Sequence, residues 1–142
     1  MLEKSQVYEI IDYAKIARLA QVDPNHAAHA IPFVFVRYED ALYSPVDGKP
    51  KRHAKLSRLQ WIKSEPKVCV LIDEYHEDWS ALWWLRLYGN ATQIDSTFDA
   101  WDEVTQMLGA KYKQYEDLEM FSGVPTMMRI EIDQWRYWSA AN

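Results

Sequence analysis

Glycine is scarce in this chain, with 4 among 142 residues, and no Gly-x-Gly-x-x-Gly turn or P-loop is present. The dinucleotide and nucleoside-triphosphate folds that need backbone–phosphate contact at such loops are therefore excluded. Cysteine occurs once, at Cys69, so neither an internal disulfide nor a cysteine-rich zinc site can form. A reducing, cytoplasmic setting is expected. No apolar run approaches the roughly 18 residues that span a bilayer, and Met1 to Ser5 carries no signal-peptide apolar core, so no membrane role is expected. Positive charge is in deficit, 16 Lys and Arg against 21 Asp and Glu, which argues against a nucleic-acid partner. No Gly-x-Ser-x-Gly elbow supports a hydrolase, and Cys69 lies inside an apolar run where a thiol behaves as a small hydrophobe. The four histidines have no zinc-ligand spacing. His26 and His29 flank a turn, His76 sits in the acidic stretch Asp73 to Asp78, and no metal site is expected.

What the chain does have is aromatic surface: seven Trp and nine Tyr. Each has a polar N–H or O–H that needs a partner, so part of this set is expected to line a ligand pocket or an interface. Apolar residues make up 49% of the sequence, enough for one core in a single domain over residues 1–142.

Periodicity supplies the elements. Val7, Ile10, Ile11, Ala14 and Ala17 trace a helix face, with Ser5 as its expected N-cap. Strands are expected at Ala17 to Val22, at His29 to Tyr38 with Pro32 marking an edge or bulge, and at Ala41 to Ser44. A loop from Pro45 to Arg52 leads into a helix carrying Leu56, Leu59 and Ile62, which stops before Pro66. Val68 to Ile72 is a continuous apolar run, expected to be buried on both faces. Leu82 to Ile94 reads as a long strand whose Gly89 marks a bulge or close backbone approach. Ser96 to Asp99 is expected to open a helix with Phe98, Trp101, Val104, Leu108 and Tyr112 on its apolar face. Thr126 to Trp138 alternates as a last strand. About six strands and three helices, mostly joined by hairpin-length loops, make a mainly β (α+β) antiparallel fold.

Five cations fall within ten residues, Lys49, Lys51, Arg52, Lys55 and Arg58, in a loop and the first turns of a helix. The plain reading is a solvated helix face. The functional reading is a phosphate grip, in which these cations act with helix N-terminal N–H groups and the Ser44 hydroxyl. The tryptophans divide in the same way. Trp83 and Trp84 are neighbours on a strand and point to opposite faces, so one fills a core while the other meets a ligand or a second subunit.

The order of Ala17 to Asp23, His29 to Phe35, Leu42 to Pro45, the basic loop, and Glu65-Pro66-Lys67-Val68 resembles the pyridoxamine 5′-phosphate oxidase-like FMN-binding split-barrel superfamily. Pro45-Val46-Asp47-Gly48-Lys49-Pro50-Lys51, Glu77-Asp78-Trp79 and Trp83-Trp84 resemble its deazaflavin (coenzyme F420)-dependent subgroup. The resemblance covers nearly the whole chain. It implies a six-stranded antiparallel split β-barrel with about three covering helices, acting as a homodimer with cofactor sites at the subunit interface. By the same resemblance, the backbone of Pro32, Phe33, Val34 and Phe35 lies against the cofactor ring. Ser44, Lys49, Lys51, Arg52, Lys55 and Arg58 hold its phosphate, and Trp84 and Trp138 of the partner subunit close the site. The family's leading cation stands eight before the Pro of an Asn-Pro pair, which falls on Arg58, where many relatives have Lys.

The implied activity is an oxidoreductase moving hydride between FMN or coenzyme F420 and a small organic substrate. Pyridoxal phosphate synthesis is not expected, since the full oxidase's substrate-binding residues are not evident. No side chain is marked as an essential acid or base, and Tyr75, His76 and Tyr88 are rim candidates only. The alternative is a non-catalytic flavin- or haem-binding carrier on the same barrel.

Overall fold

The computed structural model describes residues 2–46, 54–121 and 123–141. Helix α1 spans Lys4–Tyr13, with Val7 and Ile11 fully buried on the expected face. Glu3, not Ser5, is its N-cap. The Glu3 backbone N–H donates to the Gln6 side chain while the Glu3 carboxylate accepts from the Gln6 backbone, a reciprocal pairing that a serine within the helix cannot make. Ala17 continues the helical spacing in sequence but opens strand β1, Ala17–Val22.

The remaining elements are β2 (Ala28–Phe33), β3 (Val36–Tyr38), β4 (Ala41–Pro45), α2 (Ala54–Ser64), β5 (Lys67–Glu74), β6 (Trp83–Asp95), α3 (Trp101–Lys111) and β7 (Thr126–Ser139). The seven strands form one antiparallel sheet in the order β2-β1-β5-β6-β7-β4-β3. This is the expected split barrel with one strand more than expected. The stretch read as a single strand from His29 to Tyr38 breaks at Val34 and Phe35, and its halves occupy opposite edges of the sheet.

Two local expectations change. Strand β5 buries Val68, Val70 and Ile72 and leaves Cys69 and Leu71 half-buried on the other face, so it alternates rather than being buried on both sides. Helix α3 begins at Trp101, because Asp95 draws the backbone and hydroxyl of Thr97 into a turn of their own. Trp79 lies in a short 3-10 turn before β6, capped by the Asp78 carboxylate on the Ser80 N–H.

The core has two parts, and β4 lies between them. Leu42 faces the barrel interior with Leu19, Phe35, Val70, Leu85, Leu87 and Ile130. Ala41 and Tyr43 face α3, packing on Trp101, Val104, Leu108 and Met127. Every residue of β4 is therefore buried, and each large apolar side chain so placed contributes about 1.5–3 kcal/mol.

The expected irregularity at Gly89 is present. Tyr88 pairs with Gln134 but Gly89 pairs with Ile132, so β7 holds one extra residue at a bulge. A Cβ at position 89 would run into the backbone carbonyl of Glu131, which is held in the ladder and cannot swing away. Gly89→Ala is expected to cost about 1–3 kcal/mol, read as a fall of roughly 3–10 °C in melting temperature. An unchanged melt would show that the β6–β7 ladder is not pinned there.

Candidate functional site

Among the described residues only two polar side chains are buried, Gln21 and Ser44, and both lie against α2. Gln21 occupies the inward phase of β1 after Ala17 and Leu19. Its amide donates to the backbone carbonyl of Arg58 at 3.1 Å. On the neighbouring strand His29 stacks on Trp61 of α2, ring centres 4.3 Å apart. Its Nε2 lies 2.8 Å from the Asp23 carboxylate, which also accepts the N–H groups of Asn25 and Ala27. These hydrogen bonds, that of His29 foremost, hold the Asp23 carboxyl below its ordinary range. Helix α2 is thus tied to the sheet through a backbone carbonyl and an indole. Beside these ties, Ser44, Pro45, Val46, Arg58, Leu59 and Met128 line a small depression. Ser44 and Arg58 thus share one lining, residue types that carry donors suited to an anion.

The second feature is the break between β2 and β3. The Phe35 N–H donates to the Tyr112 hydroxyl at 3.1 Å. That hydroxyl in turn faces two carbonyls, Lys15 at 2.9 Å and Phe35 at 3.1 Å. The Lys111 ammonium donates to the Phe35 carbonyl at 3.0 Å and stands 4.1 Å over the Phe35 ring. Lys15 closes the circuit by donating to the Lys111 carbonyl at the end of α3. Burial, joined by the nearby Lys15 charge and opposed by Asp12, lowers the Lys111 ammonium from 10.5 to about 8.

The third feature is the outward face of the sheet. Trp84 and Trp138 are cross-strand partners, with ring centres 6.4 Å apart and planes 19° from parallel. Arg86 lies 4.1 Å over the Trp84 ring and donates to the Tyr88 hydroxyl.

The sequence-derived site is thus only partly assembled within one chain. Ser44 and Arg58 meet. Pro32 and Phe33 lie on β2, an edge strand whose only partner among the described residues is β1. Val34 and Phe35 form the break, with Phe35 fully buried. Lys49, Lys51 and Arg52 lie outside the described residues, as does the side chain of Lys55. Trp84 and Trp138 come together but stand far from Ser44. In the ladder Met128 links Ser44 to Gln93, nine residues along β6 from Trp84, or about 30 Å of extended chain. Of the rim candidates, Tyr75 accepts from the Trp79 indole and His76 contacts Glu74 at 2.8 Å. Sequence reasoning missed Gln21, Lys111 and Tyr112. A polar residue on the buried phase of β1 was the available signal for Gln21, whereas nothing local marks the other two.

The sequence profile of the family described as pyridoxamine 5′-phosphate oxidase matches residues 4–139. None of the curated proteins matches the chain. Among solved structures, an FAD-binding protein from Mesorhizobium loti superposes with a TM-score of 0.70 at 14% identity, over 96% of this chain and 92% of that one. The heme storage protein HutZ from Vibrio cholerae superposes at 0.69 with 16% identity, over 98% and 95%. A conserved hypothetical protein from Mycobacterium tuberculosis superposes at 0.77 with 12% identity, over 99% and 86%. At these identities the likeness establishes the shared barrel.

Tyr112→Phe strands the buried Phe35 N–H and is expected to cost about 1–3 kcal/mol in denaturant unfolding; no loss would show that this hydroxyl does not clasp the break between β2 and β3. Lys111 gives a pH dependence of known sign. The unfolded chain keeps this proton up to about 10.5 while the folded chain releases it near 8, so the unfolded state binds more protons in that interval. Stability from this group should rise with pH between those values. A melting-temperature series through that window should show the rise in the native chain and its loss in Lys111→Met.

Proposed function

This chain belongs to the pyridoxamine 5′-phosphate oxidase family, and from that premise we propose that it is a homodimeric oxidoreductase using FMN or coenzyme F420. Its reaction is hydride transfer between the cofactor and a small organic substrate. The observation that carries the reading is the corner where Ser44 and Arg58 share one depression while Gln21 and Trp61 hold α2 in place. A phosphate fits that donor set, with Lys55 and the loop cations Lys49, Lys51 and Arg52 adding charge by their place in the sequence. The open outer edge of β2 offers backbone at Pro32 and Phe33 to a planar ring, and the Phe35 clasp fixes where that strand ends. When bound, the cofactor supplies the two-electron chemistry, and the chain supplies binding, orientation and dryness. No side chain need move a proton, since solvent reaches an open substrate face.

The dimer enters through the aromatic cover. Trp84 and Trp138 lie too far from Ser44 to close the site of their own chain, so the partner's Trp84 and the partner's Trp138 are assigned that task. Trp138 is 43% exposed in the single chain, as expected of a side chain awaiting a neighbour.

A second reading, a non-catalytic carrier of flavin or haem, draws on the likeness to HutZ. The engagement of His29 by Asp23 and of His76 by Glu74 favours the first reading over haem ligation by either residue.

The test is titration of the purified protein with FMN and with coenzyme F420, in the native sequence and in Arg58→Gln. Gln21 grips Arg58 by its backbone, so the substitution leaves the anchor intact. Cofactor affinity is expected to fall about tenfold or more, in line with one charge-assisted contact of about 1.5–3 kcal/mol. Unchanged affinity, or no binding of either cofactor, would overturn the assignment.

A further inference from the structure

The last turns of α1 share an open groove of about 900 Å³ with the end of β5 and the start of β6. That volume falls within the roughly 300–1,000 Å³ of small-molecule sites. Glu9, Asp12 and Tyr13 stand at i, i+3 and i+4, so one helix face supplies one wall. Glu74 and Trp83, cross-strand partners, supply the other. Ile10, Ile16 and Ile72 add apolar lining. Tyr13 is 85% exposed and Ile16 47%, so large apolar side chains are left open to water along the groove.

Both walls are fixed in advance. Arg37 of β3 donates to both carboxylate oxygens of Asp12, at 2.9 and 2.8 Å, and so pins the last turn of α1. The Lys15 carbonyl accepts from the Tyr112 hydroxyl, and Trp83 stacks on Tyr137 with ring centres 6.3 Å apart. Charge then selects the occupant. Four carboxylates line the groove, Glu9, Asp12, Asp73 and Glu74, against the single ammonium of Lys15. That ammonium donates to the Lys111 carbonyl at the end of α3. Asp12 is engaged by Arg37, and Asp73 lies 3.9 Å from Arg18. Glu74 meets His76, a side chain that is charged only when protonated. Glu9 has no ion pair among the described residues. One carboxylate on each wall is therefore left without a fixed cation, beside exposed apolar surface.

We infer that this groove is a second binding site, for a small organic cation whose ammonium pairs with Glu9 and Glu74 while its apolar body lies against Ile10, Ile16 and Trp83. The site is separate from the cofactor corner and shares no residue with it. Trp83 packs on the barrel core, on the sheet face opposite Trp84, so the groove is also distinct from the aromatic pair assigned to the dimer.

The experiment is calorimetric titration of the full chain with three probes that share an indole ring. Tryptamine is the cation, tryptophol the neutral alcohol and indole-3-propionate the anion. Tryptamine is expected to bind about fivefold tighter than tryptophol or more, with the propionate weakest, and its preference should shrink in about 0.5 M NaCl. Glu9→Gln combined with Glu74→Gln should bring tryptamine down to the affinity of tryptophol and leave tryptophol unchanged. Glu77→Gln, at an exposed carboxylate outside the groove, should leave the preference intact. Ile16→Ser should weaken both probes alike, by about twofold or more. Glu9, Glu74 and Ile16 are all exposed, so these variants keep the fold. Equal affinity for tryptamine and tryptophol, no heat with tryptamine, or a preference that survives the double substitution would each overturn the inference. So would a preference lost in Glu77→Gln, which would place the cation elsewhere. Tryptamine selectivity in a chain that binds neither FMN nor coenzyme F420 keeps the groove and removes only the function proposed above. Loss of cofactor affinity in the double variant would merge the two sites and overturn this one.

Discussion

Between Phe33 and Val36 the chain passes from one edge of the sheet to the other, and Phe35 makes that passage fully buried. Buried peptide groups need partners wherever no strand supplies them. Here the partners come from Lys111 and Tyr112 at the end of α3, joined to the chain after α1 through Lys15. One tyrosine hydroxyl therefore links the end of the first helix, the crossing point of the barrel and the end of the third helix. The position of β4, enclosed between the barrel interior and α3, follows from it. So does the position of Ser44 at the corner where α2 is anchored.

The functional geometry follows from that closure in two separated parts. A corner that brings Ser44 and Arg58 together is built from β4 and α2, and an aromatic, arginine-bearing surface lies at the far end of the β6–β7 ladder. Within one chain the two parts stand apart, and the proposed dimer is what would bring them together. Overall charge gives little guidance to either part, since a net acidic chain holds both the corner cation Arg58 and the cross-strand pair Arg86 and Arg136.

Much of this was legible beforehand, for identifiable reasons. Helix faces and the alternation of β7 are period effects written in consecutive residues. Gly89 announced its bulge because a missing side chain in a long aromatic strand has few other uses. The pairing of Ser44 with Arg58 followed from family resemblance together with charge placement. The break at Val34 and Phe35 was not legible, because Val34, Phe35 and Val36 all favour strands and what interrupts them is a hydroxyl 77 residues away. That Arg86 faces Arg136 was hidden by the bulge itself. Beyond Gly89 the opposite number of each β6 residue shifts by one, so that Arg86 and Arg136 cannot be matched by counting.

Strand β7 is the last of the seven strands in chain order, yet it lies inside the sheet, flanked by β6 and β4. Its pairing with β4 joins Tyr43 to Arg129 across most of the sequence, a long-range closure of the kind that slows folding. During synthesis the edges of β6 and β4 stay open until residues 126–139 leave the ribosome, and an early stop would remove an inner strand rather than trim a rim. The nascent chain is therefore most exposed to strand-edge aggregation just before β7 emerges, when its apolar interior has been made and the strand that seals it has not.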